Sequence, residues 1–278
     1  MLVPRIIRKA TVVSVYGRAA NILLGDGLLL SLVAGQEQMS SLAVAVPELF
    51  EGGAFLREGS AAGRTGGGIL AGDTWIDLGT AEPWSGLAAQ AAMEVGGETI
   101  RMLEDSLREL GKAQGLLPAV VSGLPANRFA DRARGVLRAA CAQGSPSVPA
   151  GLSGLVGLGP GFTPAGDDFL CGALLGERLS RPIASPGRSG RRLWRRQLWA
   201  GGQELEKRLG RTNSAGKTLL WLALRGHFPG YLLQAARELL AAGGPAQMRA
   251  AVRRAAAHGE SSGSDALAGL LWRLRLRL

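Results

Sequence analysis

Gly157-Leu-Gly-Pro-Gly-Phe-Thr-Pro-Ala-Gly-Asp-Asp-Phe-Leu-Cys-Gly172 runs a glycine-rich turn into a helix start that carries two adjacent carboxylates. Gly157, Gly159 and Gly161 open backbone conformations closed to other residues and let a ligand approach closely, while Pro160 and Pro164 stiffen the turn. Thr163 followed by Pro164 has the pattern of an N-cap and a first helical residue. Phe169, Leu170, Ala173 and Leu174 then give the helix a buried face. Asp167 and Asp168 therefore fall in its first turn, beside amides that a helix leaves without intrahelical partners. The expectation is a rigid polar corner on an α-helix, holding the active or ligand site.

Outward from that corner the chain divides in two. Before it, residues 1–85 read as β-rich: Val12, Val13 and Val15, then Ile22-Leu-Leu24, Leu28-Leu-Leu30, Leu42-Ala-Val-Ala-Val46 and Thr74-Trp-Ile-Asp-Leu78 are short apolar runs. Gly25-Asp-Gly27 is a hairpin signal between two of them. Arg64-Thr-Gly-Gly-Gly68 reads as a hairpin loop or an anion-binding nest. From about Trp84 the period becomes helical, with candidates at 88–110, broken or continuous at Gly96-Gly97, and at 128–142. Gln143 to Gly151 reads as a linker and Ser180 to Gly190 as a polar loop, with further helices near 191–209, 214–226, 230–242, 246–257 and from 265. The fold class is thus α+β, a small N-terminal β-barrel or sandwich (1–85) followed by an all-α domain (86–278) that carries the corner.

Composition narrows the function classes. The chain has 278 residues, 46% of them hydrophobic, enough for a substantial core. No stretch approaches the roughly 20 apolar residues of a membrane span, and the N-terminus has no continuous apolar region, so a cytoplasmic protein without a membrane partner is expected. Cys141, Cys171, His227 and His258 are the only residues of their types, which makes a Cys/His metal site improbable and leaves oxygen ligands for any cation. The formal charge of +10 invites a nucleic-acid reading, but the basic residues are nearly all scattered arginines. Their densest cluster, Arg191-Arg-Leu-Trp-Arg-Arg-Gln-Leu-Trp199, follows helical period and reads as a packed helix with a solvated face; no nucleic-acid partner is assigned.

The corner has an echo. Setting Ala165-Gly-Asp-Asp-Phe-Leu-Cys-Gly172 on Ser262-Gly-Ser-Asp-Ala-Leu-Ala-Gly269 superposes Gly166 on Gly263, Asp168 on Asp265, Leu170 on Leu267 and Gly172 on Gly269, 97 positions on. The pattern predicts a pseudo-symmetric pair of helix starts, with Asp168 and Asp265 facing each other across one pocket. Ser and Asp at a helix start also serve as ordinary caps and dipole partners, which alone would explain Ser262-Gly-Ser-Asp265.

Free amides attract an anion, whereas two ionised aspartates repel one. Three chemistries reconcile them. A Mg²⁺ on Asp167 or Asp168 bridges to the anion; or a substrate combines an acidic end with N–H donors; or one aspartate is a general base while the amides hold developing negative charge. The residues leave these open, and no metal ligand is assigned.

Pro164-Ala-Gly-Asp-Asp-Phe169 resembles the Gly-Ala-Gly-Asp-x-Phe motif of ribokinase-like kinases, but the chain lacks the alternating strands and helices of that fold. A wider resemblance is to the AllH-type subunit of oxamate carbamoyltransferase. Gly157-Leu-Gly-Pro-Gly-Phe-Thr-Pro-Ala-Gly-Asp-Asp-Phe-Leu170 is similar to that family's signature GLGPGLTPSGDDFL. Val12 to Asn21, Trp75 to Trp84, Thr212-Asn-Ser-Ala-Gly216 and Gly259 to Gly269 resemble further stretches. The family commonly has a histidine where this chain has Glu260, with His258 two positions earlier. The resemblance implies carbamoyl transfer in purine and allantoin breakdown, phosphorolysing oxalurate to oxamate and carbamoyl phosphate, alongside larger partner subunits. Placed on the corner, that chemistry implies Asp167, Asp168 and Asp265 as catalytic carboxylates. It likewise implies Gly159, Gly161 and Gly166 as backbone contacts to a small anionic substrate, and Thr163, Ser262, Gly263 and Asn21 as further substrate-binding residues. The partners expected are other enzyme subunits or further copies of the chain; a non-catalytic anion-binding or scaffolding subunit is the alternative.

Overall fold

The computed structural model describes residues 10–51, 56–86, 95–142, 150–179, 202–241 and 243–276. The chain separates into two compact units, 1–86 and 87–278.

The first unit is a seven-stranded sheet. Strands β1 (Ala10–Val15), β2 (Ala19–Leu24), β3 (Leu29–Val33), β4 (Ala43–Ala45), β5 (Ala61–Thr65), β6 (Gly68–Ala71) and β7 (Thr74–Asp77) lie in the order β4-β3-β2-β1-β5-β6-β7. All neighbours are antiparallel except β3 and β4, and a short helix α1 (Pro47–Glu51) follows β4. The sheet curls into half a barrel, so the unit is a single curved layer. One face of it carries the alternate residues of the apolar runs, Val12, Ile22, Leu30, Leu32 and Ile69 among them, all buried. A bulge between Val12 and Ser14 shifts the β1–β2 register and adds to the bend. The Gly25-Asp-Gly27 turn joins β2 to β3, with Asp26 accepting from the Leu28 amide at 3.1 Å. Gly66 and Gly67 close the β5–β6 hairpin.

The second unit is helical. Its helices are α2 (Gly97–Leu110), α3 (Arg128–Ala142), α4 (Ala165–Leu179), α5 (202–207), α6 (Ser214–Leu224), α7 (Gly230–Leu240), α8 (Pro245–Ala256) and α9 (Ser262–Arg275). The expected linker after α3 is outside the described residues over 143–149, and a 3-10 turn occupies Ala150–Leu155. Most of the expected polar loop and basic helix, residues 180–201, is likewise outside the described residues, as is the front of the 88–110 candidate over 87–94.

The core of this unit is the crossing of α4 and α9. The apolar face expected for α4 proves to be its whole circumference, since fourteen of its fifteen residues are buried; every residue of α9 from Gly263 to Leu274 is buried too. What lets two helices approach this closely is reciprocal glycine contact. A Cβ on Gly172 would overlap the Ala266 carbonyl and abut the Leu270 amide; one on Gly269 would overlap the Phe169 carbonyl and abut the Ala173 amide. Each contact maps onto the other by the same 97-residue shift, so the echo in the sequence is a pseudo-twofold in space. At the far end of the crossing Glu177 and Arg273 form a buried ion pair, and Phe169 and Trp272 pack with ring centroids 6.2 Å apart.

Candidate functional site

The corner sits where α4 and α9 begin. Gly157, Gly159 and Gly161 have φ of 73°, 99° and 115°, a region that disfavours any side chain, and they fold the turn back over the helix start. The turn is tied to α4 chiefly by Asp167. That carboxylate accepts from the Gly157 amide at 2.9 Å and from the Thr212 hydroxyl, and a Cβ on Gly216 would strike it. Asn213 caps α6 by accepting from the Gly216 amide at 2.9 Å, and its own amide group donates to the Phe162 carbonyl at 2.9 Å. Asp167 is thus wholly enclosed, with both oxygens engaged by the protein itself.

Two expectations about this corner are corrected. Thr163 is not an N-cap: the Pro164 carbonyl takes the first helical amides, those of Asp167 at 2.8 Å and Asp168 at 3.2 Å, and the Thr163 hydroxyl donates to Asp168 at 2.9 Å instead. Nor are the amides of Gly166, Asp167 and Asp168 free, because Gly166 donates to the Leu158 carbonyl at 2.8 Å. The turn folds so tightly that its own carbonyls fill the place of an anion. Gly166 and Gly263 are close-approach positions: a Cβ on Gly166 would overlap the Leu155 carbonyl, and one on Gly263 the Ala255 carbonyl. The Gly263 amide donates to the His258 carbonyl at 3.1 Å.

Asp168 and Asp265 are brought together as the repeat suggests. The Thr163 and Ser262 hydroxyls are 3.1 Å apart and join the two helix starts. Burial, then the charge of Asp265, push the Asp168 carboxyl well above the usual carboxylate range, against the hydroxyls of Ser262 and Thr163, which favour its charged form. Asp265 is raised to about 7 by burial, opposed by the Leu116 amide, which donates to its Oδ1 at 2.6 Å. Its Oδ2 is buried and has no hydrogen-bond partner among the described residues. Asp167 is raised to about 6 by burial, opposed by Thr212 and Gly157. Burial and the Asp168 charge also push the Cys171 thiol up, keeping it protonated.

Several contributors carried no local signal. The segment after α2 clamps α9: Lys112 donates its amide to the Ser264 hydroxyl oxygen at 3.0 Å and its Nζ to the Gly259 carbonyl at 2.8 Å, while Gly115 leaves room for Asp265 where any Cβ would collide. Tyr231, from the first turn of α7, stacks on His258. Glu260, where the family histidine would fall, is exposed. Asn21 lies in the first unit, buried on β2, with its amide donating to Ser14 at 2.9 Å and its carbonyl accepting from Ser31 at 2.7 Å; it forms a polar ladder across three strands. Among the described residues no three His, Cys, Asp or Glu side chains converge as a metal cage, and no helix is long and apolar enough to cross a membrane.

Residues 155–274 match the family model described as oxamate carbamoyltransferase subunit AllH. The matched segment starts two residues before Gly157 and ends within α9, so it holds both helix starts, Thr212, Tyr231 and His258. The Lys112–Leu116 clamp precedes it. No curated protein and no solved structure matches the chain.

Proposed function

We propose that this chain is a carbamoyltransferase-type subunit acting on a small ureido or carbamoyl acid such as oxalurate, in purine or allantoin breakdown. It works in the cytoplasm with other enzyme subunits or with further copies of itself. The observation that carries this reading is the pair Asp168 and Asp265 at two abutting helix starts, buried, electrostatically coupled and fronted by the Thr163 and Ser262 hydroxyls. A coupled pair of this kind keeps a proton near neutral pH, so it offers both acceptor and donor oxygens to a substrate that carries N–H and C=O groups. Oxalurate has such a ureido group beside a carboxylate, which the two hydroxyls would hold. In the overall step phosphate oxygen bonds to the carbamoyl carbon, the C–N bond to oxamate breaks, and the departing nitrogen takes a proton; the dicarboxyl pair is suited to supply it.

A Mg²⁺ at the corner would fall to Asp168 and Asp265, since Asp167 is committed to Gly157 and Thr212. With two carboxyls from the protein, water and substrate would complete its oxygen shell. Gly159 and Gly161 serve this reading by shaping the turn, and Gly166 and Gly263 by setting the helices close.

The enclosure of Asp167 and of the α4 amides favours a second reading, a scaffolding or anion-sensing subunit whose corner is structural. Asp168→Asn separates the two. Phosphate-dependent cleavage of oxalurate by the protein should fall by about 100-fold or more, with the melting temperature retained. Unchanged turnover would reject the catalytic role, and cleavage by the chain without partners would reject the scaffolding one.

A further inference from the structure

The acid pair is gripped from outside the matched segment. Leu116, whose amide donates to Asp265 Oδ1 at 2.6 Å, shares its peptide unit with the Gly115 carbonyl. That carbonyl accepts from the Asn127 side-chain amide at 2.8 Å, and the Ala113 carbonyl accepts from the same nitrogen at 2.9 Å. A trans peptide directs its C=O and N–H oppositely, so Asn127 holds one end of the unit and Asp265 the other. Gly115 lies directly on the carboxyl, since a Cβ there would collide with both of its oxygens. A rotation of this peptide withdraws its N–H from Oδ1.

Asn127 is itself anchored. It is the N-cap of α3, its Oδ1 accepting from the Phe129 and Ala130 amides at 2.9 Å each. Two donations and two acceptances use the full capacity of an asparagine side chain. A cap needs only the acceptances, which aspartate or serine supplies about equally well; the two donations go beyond capping. Hydrogen bonds in series polarise one another, so the donation to Gly115 strengthens the donation from Leu116.

We infer that Asn127 is the positioning residue for Asp265: it holds the Gly115–Leu116 peptide so that the N–H stays on Oδ1, and thereby fixes the carboxyl at the start of α9. The consequence lies in the coupled pair. A donor fixed on Asp265 favours charge there, and the shared proton is then kept on Asp168. The bearing on turnover rests on the proposed function, whereas the hold on Asp265 does not.

Nuclear magnetic resonance of the full chain with Asn127→Ser and Asn127→Asp tests it. Both substitutions keep a cap on α3 and remove the amide donor, so the Phe129 and Ala130 amides should exchange with solvent as in the wild type. The Leu116 amide should exchange about tenfold faster, the loss of one hydrogen bond. Its proton, far downfield while bound to the carboxylate that Asp265 carries at pH 8, should move upfield. Asn127→Ala should loosen all three amides. In phosphate-dependent cleavage of oxalurate, Asn127→Ser should lower kcat about tenfold and leave KM unchanged, because Asn127 acts through the peptide and not on the substrate. A Leu116 amide with wild-type exchange and shift in both cap-retaining variants would overturn the positioning role, whatever the activity. Equal loosening of Phe129, Ala130 and Leu116 in all three variants would reduce Asn127 to a cap and overturn it too. A shifted Leu116 amide with unaltered turnover would uphold the hold on Asp265 and count against the proposed use of the pair, as would a wild type that cleaves no oxalurate.

Discussion

The starts of α4 and α9 share a backbone plan and differ in what they do with their acids. Each uses a glycine to approach a preceding carbonyl, Gly166 over Leu155 and Gly263 over Ala255, and each passes a second glycine against the other helix. In α4 the position after the glycine is Asp167, clamped by a backbone amide and a hydroxyl. In α9 the matching position is Ser264, which accepts one amide, from Lys112. The following aspartates diverge as well: Asp168 is turned toward hydroxyls, while Asp265 spends one oxygen on Leu116 and keeps the other open. Symmetry of the backbone brings the acids together; asymmetry of their partners gives one a fixed structural duty and another an oxygen to offer.

The shared crossing is the first place to break this comparison. Gly172→Ala and Gly269→Ala each push a methyl into a backbone carbonyl that cannot swing away, and each should cost about 3 kcal/mol by overpacking. Chemical denaturation of the two variants should give similar losses. A cost confined to one of them would show that the pseudo-twofold is not shared energetically.

The next test separates the acids' duties. Asp167→Ala strands the Gly157 amide and the Thr212 hydroxyl and should lose about 2 to 3 kcal/mol, whereas Ser264→Ala strands a single amide and should lose about 1 kcal/mol. Equal losses would mean that Asp167 is no more structural than its α9 counterpart.

Much of this was legible from the chain, for identifiable reasons. Helices such as α3 and α8 follow from apolar period, and the α4–α9 pair from glycines repeated at one spacing. The start of α9 precedes its expected position by three residues because Ser262-Gly-Ser264 carries no apolar signal, yet the helical bonds begin with Asp265 donating to Ser261 at 2.9 Å. The parallel partner of β3 depends on a crossover that local alternation does not encode. Partners of the acids were least visible: Thr212 is 45 positions from Asp167 and Leu116 is 149 from Asp265, and neither residue type marks itself as a carboxylate clamp. The amides of α4 read as free since helix starts ordinarily leave them so; the carbonyls that fill them belong to the folded turn.

A last test distinguishes Asp265 from Asp167 by pH. Folding raises both, to about 7 and about 6, above the ordinary 3.8, so between those values the folded chain holds more protons than the unfolded one. Stability contributed by each group therefore increases as pH falls through its folded value toward 3.8, and above pH 7 both buried charges oppose folding. The slope is at most about 1.4 kcal/mol per pH unit for each proton. Denaturation measured from pH 8 to pH 5 should show stability rising on acidification, beginning near pH 7. Asp265→Asn should remove the part that begins there, together with the part of the Asp168 rise that the Asp265 charge causes, and leave the part near pH 6, while Asp167→Asn should remove the part near pH 6 and leave the rest. A profile that Asp265→Asn leaves unchanged would mean that the Asp265 carboxyl is solvated in the folded chain, against the burial that raises it.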